Sequence, residues 1–321
     1  MKPSQYVSGR RDVVYLDDQR KIEATLKEAM DFIASDDAST KQRTSTGEML
    51  AYLPVKNLSL SIDKENILKT QTVRPLYADK IVPQMKWRLE RNHLLKNDMM
   101  ILEILSNNNW KRPIYFAVTV GRENYVNLDN YFQLEGLTYR VVPVNTPGDY
   151  THLGYVDADI MYDNMMNKFK WGGITNPKVY LDENNIRMLT NFRNNFGRLA
   201  ETLLAEGKID SAKRVLDKCV ELLPGSRVPH NFFSLPIVEL YFKLNEADKA
   251  KKIANEIADM ADAELAYFSS LNRRFPAEGD YEKRVDYYLL SQLSAVATAH
   301  DQKDLAKDFE TRLSKYIPSQ K

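Results

Sequence analysis

The chain has 321 residues, 43% of them hydrophobic and 28% charged, ordinary proportions for a water-facing protein with room for more than one core. Lysine and arginine number 45 against 44 aspartates and glutamates, so no net field draws the chain toward nucleic acid or anionic lipid. The single Cys219 excludes an internal disulfide and a multi-cysteine metal site, and no apolar run reaches the roughly 18 residues of a membrane span.

The opening MKPSQYVSGRRDVVYL has no apolar signal core, and its abrupt start reads as a chain cut from something longer. A short strand is expected at VVY, residues 13–15. A helix is expected over 19–33, where Ile22, Leu26, Ala29, Met30 and Ile33 recur at helical spacing. Residues 35–48 are polar and read as a loop. LPVKNLSLSI, residues 53–62, reads as one strand with an exposed face, turned at 63–66. Residues 75–87 are ambiguous, with prolines near both ends.

The stretch 97–143 organises the N-terminal half. Asp98 can cap a helix carrying Met99, Ile101, Leu102 and Leu105, which the polar run 106–109 ends. Pro113 starts a new element, and 114–120, IYFAVTV, is a charge-free run that predicts a strand covered on both faces. A short helix is expected over 127–134, closed by Gly136, and a second strand over 137–144. Helix, strand, helix, strand predicts a layered α/β domain over 1–180. The aromatic stretch 149–174 either wraps it or begins the next domain.

From about Asn184 helical periodicity takes over, and an all-α domain is expected over 181–321. Phe196, Leu199, Ala200, Leu203, Gly207, Ile209, Ala212, Leu216, Cys219 and Pro224 fall at the offsets of a tetratricopeptide repeat. Ile237, Val238, Tyr241, Ala250, Ala254 and Ile257 form a second unit, with Ala250 placed 38 residues after Ala212. Leu290, Leu293, Ala297, Ala306, Leu313 and Pro318 form a third; residues 262–283 break the period. Small residues let paired helices approach closely and proline stops the second helix, which predicts TPR-like hairpins. A generic helical bundle is the alternative. Cys219 reads as a small buried hydrophobe.

No phosphate loop, dinucleotide fingerprint, nucleophile elbow or HExxH occurs, and His93, His152, His230 and His300 lie far apart. No catalytic residue, metal or cofactor is therefore expected. The candidate ligand-binding residues are Lys111, Arg112, Tyr115, Glu135 and Arg140. Two cations beside Trp110 could hold a phosphate or carboxylate, or could simply complement the helix end before them. Tyr115, Asp129, Glu135, Tyr139 and Arg140 could line a cleft at the strand ends; Glu135 and Arg140 could equally be a structural pair.

GRRDVVYL (9–16), MMILEILSNNNWKRPIYFAVTV (99–120) and YFQLEGLTYRVVPV (131–144) resemble the C-terminal soluble region of the DUF2723 family, multi-spanning membrane proteins of Bacteroidetes whose membrane part looks like a protein O-mannosyltransferase. NNWKRPIYFA is the most specific element. The resemblance implies a periplasmic region joined to an absent N-terminal membrane domain, with the transferase centre outside this chain. It also makes DSA, residues 210–212, similar to a Bacteroidetes O-glycosylation acceptor. The leading expectation is a non-catalytic periplasmic accessory region of a glycosyltransferase-like membrane protein, its helical groove offered to a protein or glycan partner. A sugar- or nucleotide-binding enzyme domain and a structural spacer are the alternatives.

Overall fold

The computed structural model describes residues 13–18, 22–43, 45–148, 152–271 and 279–316. Arg10, Arg11, Asp12, Tyr150, Pro276 and the terminal Pro318 lie outside them. The chain divides into two compact units, 1–157 and 158–321.

The first unit is mixed β-sheet and helix. Its elements run β1 (Val13–Leu16), β2 (Glu23–Thr25), α1 (Leu26–Ala34), β3 (Lys41–Arg43), β4 (Met49–Leu53), β5 (Asn57–Ser61), α2 (Lys64–Lys69), β6 (Gln84–Arg88), β7 (His93–Leu95), α3 (Lys96–Asn108), β8 (Tyr115–Ala117), β9 (Phe132–Leu134), β10 (Thr138–Val141) and β11 (Tyr155–Val156). They form three small sheets, in orders β3-β4-β1-β7, β2-β5-β6 and β11-β9-β10-β8. Among the described residues, only β1 with β4, β2 with β5 and β9 with β11 pair in parallel.

Side-chain caps set several boundaries. The expected helix over 19–33 starts late, at Leu26, because Thr25 and Glu28 form a capping box: Glu28 N–H donates to Thr25 Oγ1 at 3.3 Å and Thr25 N–H to Glu28 Oε2 at 2.9 Å. The preceding residues 23–25 are claimed by β2 and leave Ile22 exposed. The strand expected over 53–62 is two strands in different sheets. Pro54, which has no N–H for a ladder, separates β4 from β5. Asp63, expected in a turn, caps α2 by accepting from the N–H groups of Glu65 and Asn66. Asp98 stands one turn inside α3 and accepts the N–H of Leu95 at 2.9 Å.

The covered strand expected over 114–120 is corrected to the three residues of β8, an edge strand whose burial alternates exposed, buried, exposed. Residues 118–120 turn instead, with Val120 N–H donating to Ala117 C=O at 3.0 Å. The strand covered on both faces is β9, in the stretch expected to be helical. Val126 and Asn127 both take positive φ, which no helix can propagate, and leave only a 3-10 turn at Asp129–Tyr131 before the strand. Gly136, with φ +113°, turns the β9–β10 hairpin rather than ending a helix. One face of this sheet packs the ring cluster Phe116, Tyr125, Phe132 and Tyr139; Phe132 and Tyr139 stack at 5.3 Å.

The second unit is all-α: α4 (Ala158–Tyr162), continued by a π-helical turn at Asp163–Lys168, then α5 (Glu183–Ala205), α6 (Ile209–Leu222), α7 (Leu235–Lys243), α8 (Ala247–Ser270), α9 (Asp280–Ala299) and α10 (Lys303–Ser314). α5 pairs with α6, α7 with α8 and α9 with α10; α7 also packs on α5 and on α9. Each hairpin turns through one left-handed residue, Gly207, Asn245 or Asp301. The bonding repeats too: Lys208 N–H to Leu203 C=O, Glu246 N–H to Tyr241 C=O, Gln302 N–H to Ala297 C=O. Ala212, Ala250 and Ala306 follow five residues after those turns and are buried at the helix contacts. Trp171 packs on Phe196 of α5 at 5.4 Å. α8 runs unbroken through Asp262 to Ser270, where an interruption of the period is expected.

Candidate functional site

Three of the five candidate ligand-binding residues meet on the polar face of the β11-β9-β10-β8 sheet. Register makes the meeting. Arg140 stands opposite Tyr115 on β8 and opposite Gln133 on β9, and Gln133 stands opposite Tyr155 on β11. Because side chains alternate across a strand, these four share the face opposite the ring cluster. Glu135, just past β9, gathers them. Its Oε2 accepts from Tyr115 O–H at 3.0 Å, its Oε1 from Gln133 Nε2 at 2.7 Å, and Arg140 Nη1 lies 3.6 Å from Oε1. Tyr155 O–H donates to Gln133 Oε1. Tyr77 meets Tyr155 edge-on at 5.8 Å, and Arg74 binds the buried Asp157 at 2.6 Å.

Electrostatics here favours fixed, un-ionised hydroxyls. Burial first, and then the Glu135 carboxylate, raise the Tyr115 hydroxyl above its ordinary value, with Arg140 opposing. Tyr155 is raised strongly, also mainly by burial. Of the atoms in this network, Arg140 Nε is buried without a hydrogen-bond partner among the described residues.

Lys111 and Arg112 do not join the row. Both are exposed in the turn after α3, and neither side chain bonds to it among the described residues. The helix end is closed by other groups. Asn108 Oδ1 accepts from Arg112 N–H and its Nδ2 donates to Arg112 C=O, while Asn109 and Trp110 take positive φ. Asp129 pairs with Arg122 at 2.5 Å, and Tyr139 lies in the ring cluster. Gln133 and Tyr155 escape sequence reasoning because only register brings them in.

The helical unit holds two further features. The first is a small cavity of about 80 Å³ lined by Arg193, Cys219, Leu223, His230, Ile237, Lys252, Ile253 and Glu256 among others. His230 Nδ1 lies 3.0 Å from Ser234 Oγ and its Nε2 3.0 Å from Glu256 Oε2. Gly225 makes room for this pair, since a Cβ there would come within 2.6 Å of His230 Nε2. Burial holds the imidazole below its ordinary value, against the Glu256 hydrogen bond. Burial likewise pushes the Cys219 thiol up to about 12, which leaves it inert at neutral pH. Sequence reasoning missed this group: His230 and Ser234 stand four residues apart, and Glu256 comes from a different helix.

The second is a groove on α9 and the turn before α7, lined by Phe232, Tyr281, Arg284, Val285 and Tyr288. Tyr281 is 67% exposed and Tyr288 53%, while the opposite side of α9 buries Leu289, Leu290 and Leu293. Among the described residues no group of three or more His, Cys, Asp or Glu side chains is arranged to hold a metal ion, and no helix is long and apolar enough to cross a membrane.

No curated protein matches the chain, and no solved structure does. Residues 1–160 match the family model described as TMEM260-associated domain 2. This corrects the resemblance to DUF2723, and with it the Bacteroidetes source, the glycosyltransferase-like parent and the acceptor motif at 210–212 that hung on it. Ser211 is the third residue of α6 and accepts a hydrogen bond from Arg214 at 3.0 Å. The matched stretch ends three residues past Asp157, the limit of the first compact unit. That match ties residues 1–160 to a domain associated with TMEM260, and so to a membrane-protein family.

Proposed function

We propose that this chain is a non-catalytic accessory and interaction region of a membrane protein, whose helical unit presents tetratricopeptide-like hairpins to a protein or glycan partner. The observation that carries the reading is the α9 groove. Arg284 and Val285 lie three and four residues after Tyr281, and Tyr288 four and three after them, so all four share a helix face, and the two tyrosines stay open to water. Large aromatics and arginine on an exposed face are the side chains that dominate recognition surfaces. The repeated left-handed turns and buried alanines of the three hairpins support the tetratricopeptide-like reading, because that geometry sets helix pairs side by side into a continuous surface.

The test is a photo-crosslinking amino acid at position 288 of the protein in its native membrane. A discrete adduct that disappears with Tyr281→Ser is expected. Absence of any adduct, or turnover of a sugar or nucleotide substrate by the isolated chain, would overturn the reading. The periplasmic side is part of the proposal. A tag placed after Lys321 should then be cut by protease added to intact spheroplasts.

A second reading rests on Arg140 Nε. Tyr115, Glu135 and Arg140 would hold a small polar ligand, as the cleft of an enzyme domain does, in place of locking the sheet. Saturable binding abolished by Arg140→Met in a folded chain would favour it.

A further inference from the structure

The cavity between α5, α6, α7 and α8 has an unbalanced charge. Arg193 is 2% exposed and donates to the carbonyls of Leu223, Val228 and Pro229 at 2.6–3.0 Å, with no carboxylate on it among the described residues. Lys252 lines the same cavity and makes no ion pair among the described residues. The one acid on the lining, Glu256, is engaged by His230. The lining thus carries the buried Arg193 and, at its solvent-exposed side, Lys252 against one carboxylate, and a buried guanidinium is costly to leave without a counter-charge. Leu223, Ile237 and Ile253 give the cavity an aliphatic side, with Cys219 and Ser234 also on the lining.

We infer that this cavity binds a single carboxylate carried on a short aliphatic group, the acid facing Arg193 and Lys252 and the carbons lying against Leu223, Ile237 and Ile253. The charge surplus fits a monoanion and leaves a phosphate dianion under-compensated. The volume, about 80 Å³, is roughly half that of a cavity that admits benzene, so it takes a carboxylate and two or three carbons. The carboxylate belongs either to a free short-chain acid or to the end of a longer chain entering by its terminus. Gly225 leaves His230 room to sit on Glu256, so the acid of the lining is already hydrogen-bonded.

The test is calorimetric titration of the whole chain with sodium propionate at constant ionic strength, beside propylammonium chloride as the cation of the same shape. Saturable propionate binding is expected, absent for propylammonium. Lys252→Gln, an exposed change, should weaken it by about tenfold, and Lys303→Gln on α10 should leave it unmoved. Saturating propionate should also raise the His230 imidazole pKa read by NMR, because an anion arrives beside it. An acetylated dipeptide ending in alanine, compared with its amide, separates the sources. Binding of the acid form alone points to a chain end, and propionate binding without dipeptide binding points to a free acid. No saturable binding by either acid, equal binding of propylammonium, displacement by equimolar chloride, or an unchanged affinity in Lys252→Gln would overturn the assignment.

Discussion

Asp286 on α9 is 2% exposed, and its Oδ2 has no hydrogen-bond partner among the described residues. Burial, with Glu264 on α8 and Glu282 on α9 adding repulsion, pushes its carboxyl from 3.8 up to about 7. The sign of the consequence is fixed by linkage. Between roughly pH 4 and pH 7 the folded chain holds this proton while the unfolded chain has lost it, so stability falls as pH rises through that window and stays low above it. Asp286→Asn should remove the slope. It is expected to be close to neutral at pH 4 and to gain on the order of 2 kcal/mol at pH 8, read as the difference in urea midpoints at the two pH values. An Asp286→Asn variant that kept the parent's pH slope would show that another group titrates.

At the scale of elements, the polar row on the β11-β9-β10-β8 sheet is what Glu135 holds together. Its carboxylate takes bonds from Tyr115 on β8 and from Gln133 on β9, the strand it follows, and faces Arg140 on β10 between them. Glu135→Ala would leave three donors short of an acceptor and should cost about 2–4 kcal/mol. Tyr115→Phe removes one bond from a hydroxyl on a half-exposed ring and should cost about 1 kcal/mol or less. Equilibrium unfolding in urea ranks the two, and the reverse order would show that the row does not bind the strands. The same elements show what the residues alone could reveal. Helix α1 was legible because Leu26, Ala29, Met30 and Ile33 lie on one face, and its true start was written in Thr25 and Glu28. Hydrophobicity misled at 114–120, where an uncharged run is only a short edge strand, and at 132–134, where a buried glutamine disguised the covered one. Tyr115, Glu135 and Arg140 were candidates from chemistry alone. That Gln133 and Tyr155 complete their row depends on strand register, and no spacing along the chain encodes it.

At the scale of the molecule, the helical unit carries a core of its own. Phe196, Leu199, Leu216, Tyr241, Ala254, Leu290 and Phe309 are buried within it, across all three hairpins. Hairpins of this kind are stabilised chiefly by the hairpin beside them, so contacts stay local in sequence and the stack needs no distant strand to close it. Residues 158–321 made alone should therefore fold: a helical circular-dichroism spectrum and one cooperative thermal transition are expected. Deleting the last hairpin, from residue 279 onward, should do more harm than its share of the length suggests, because α9 covers α7 and α8 and both would lose a buried face. A truncated unit that kept the transition temperature of the whole one would show that stacking contributes little. The hairpins would then be independent pairs, and the continuous surface on which the interaction reading depends would have no physical basis.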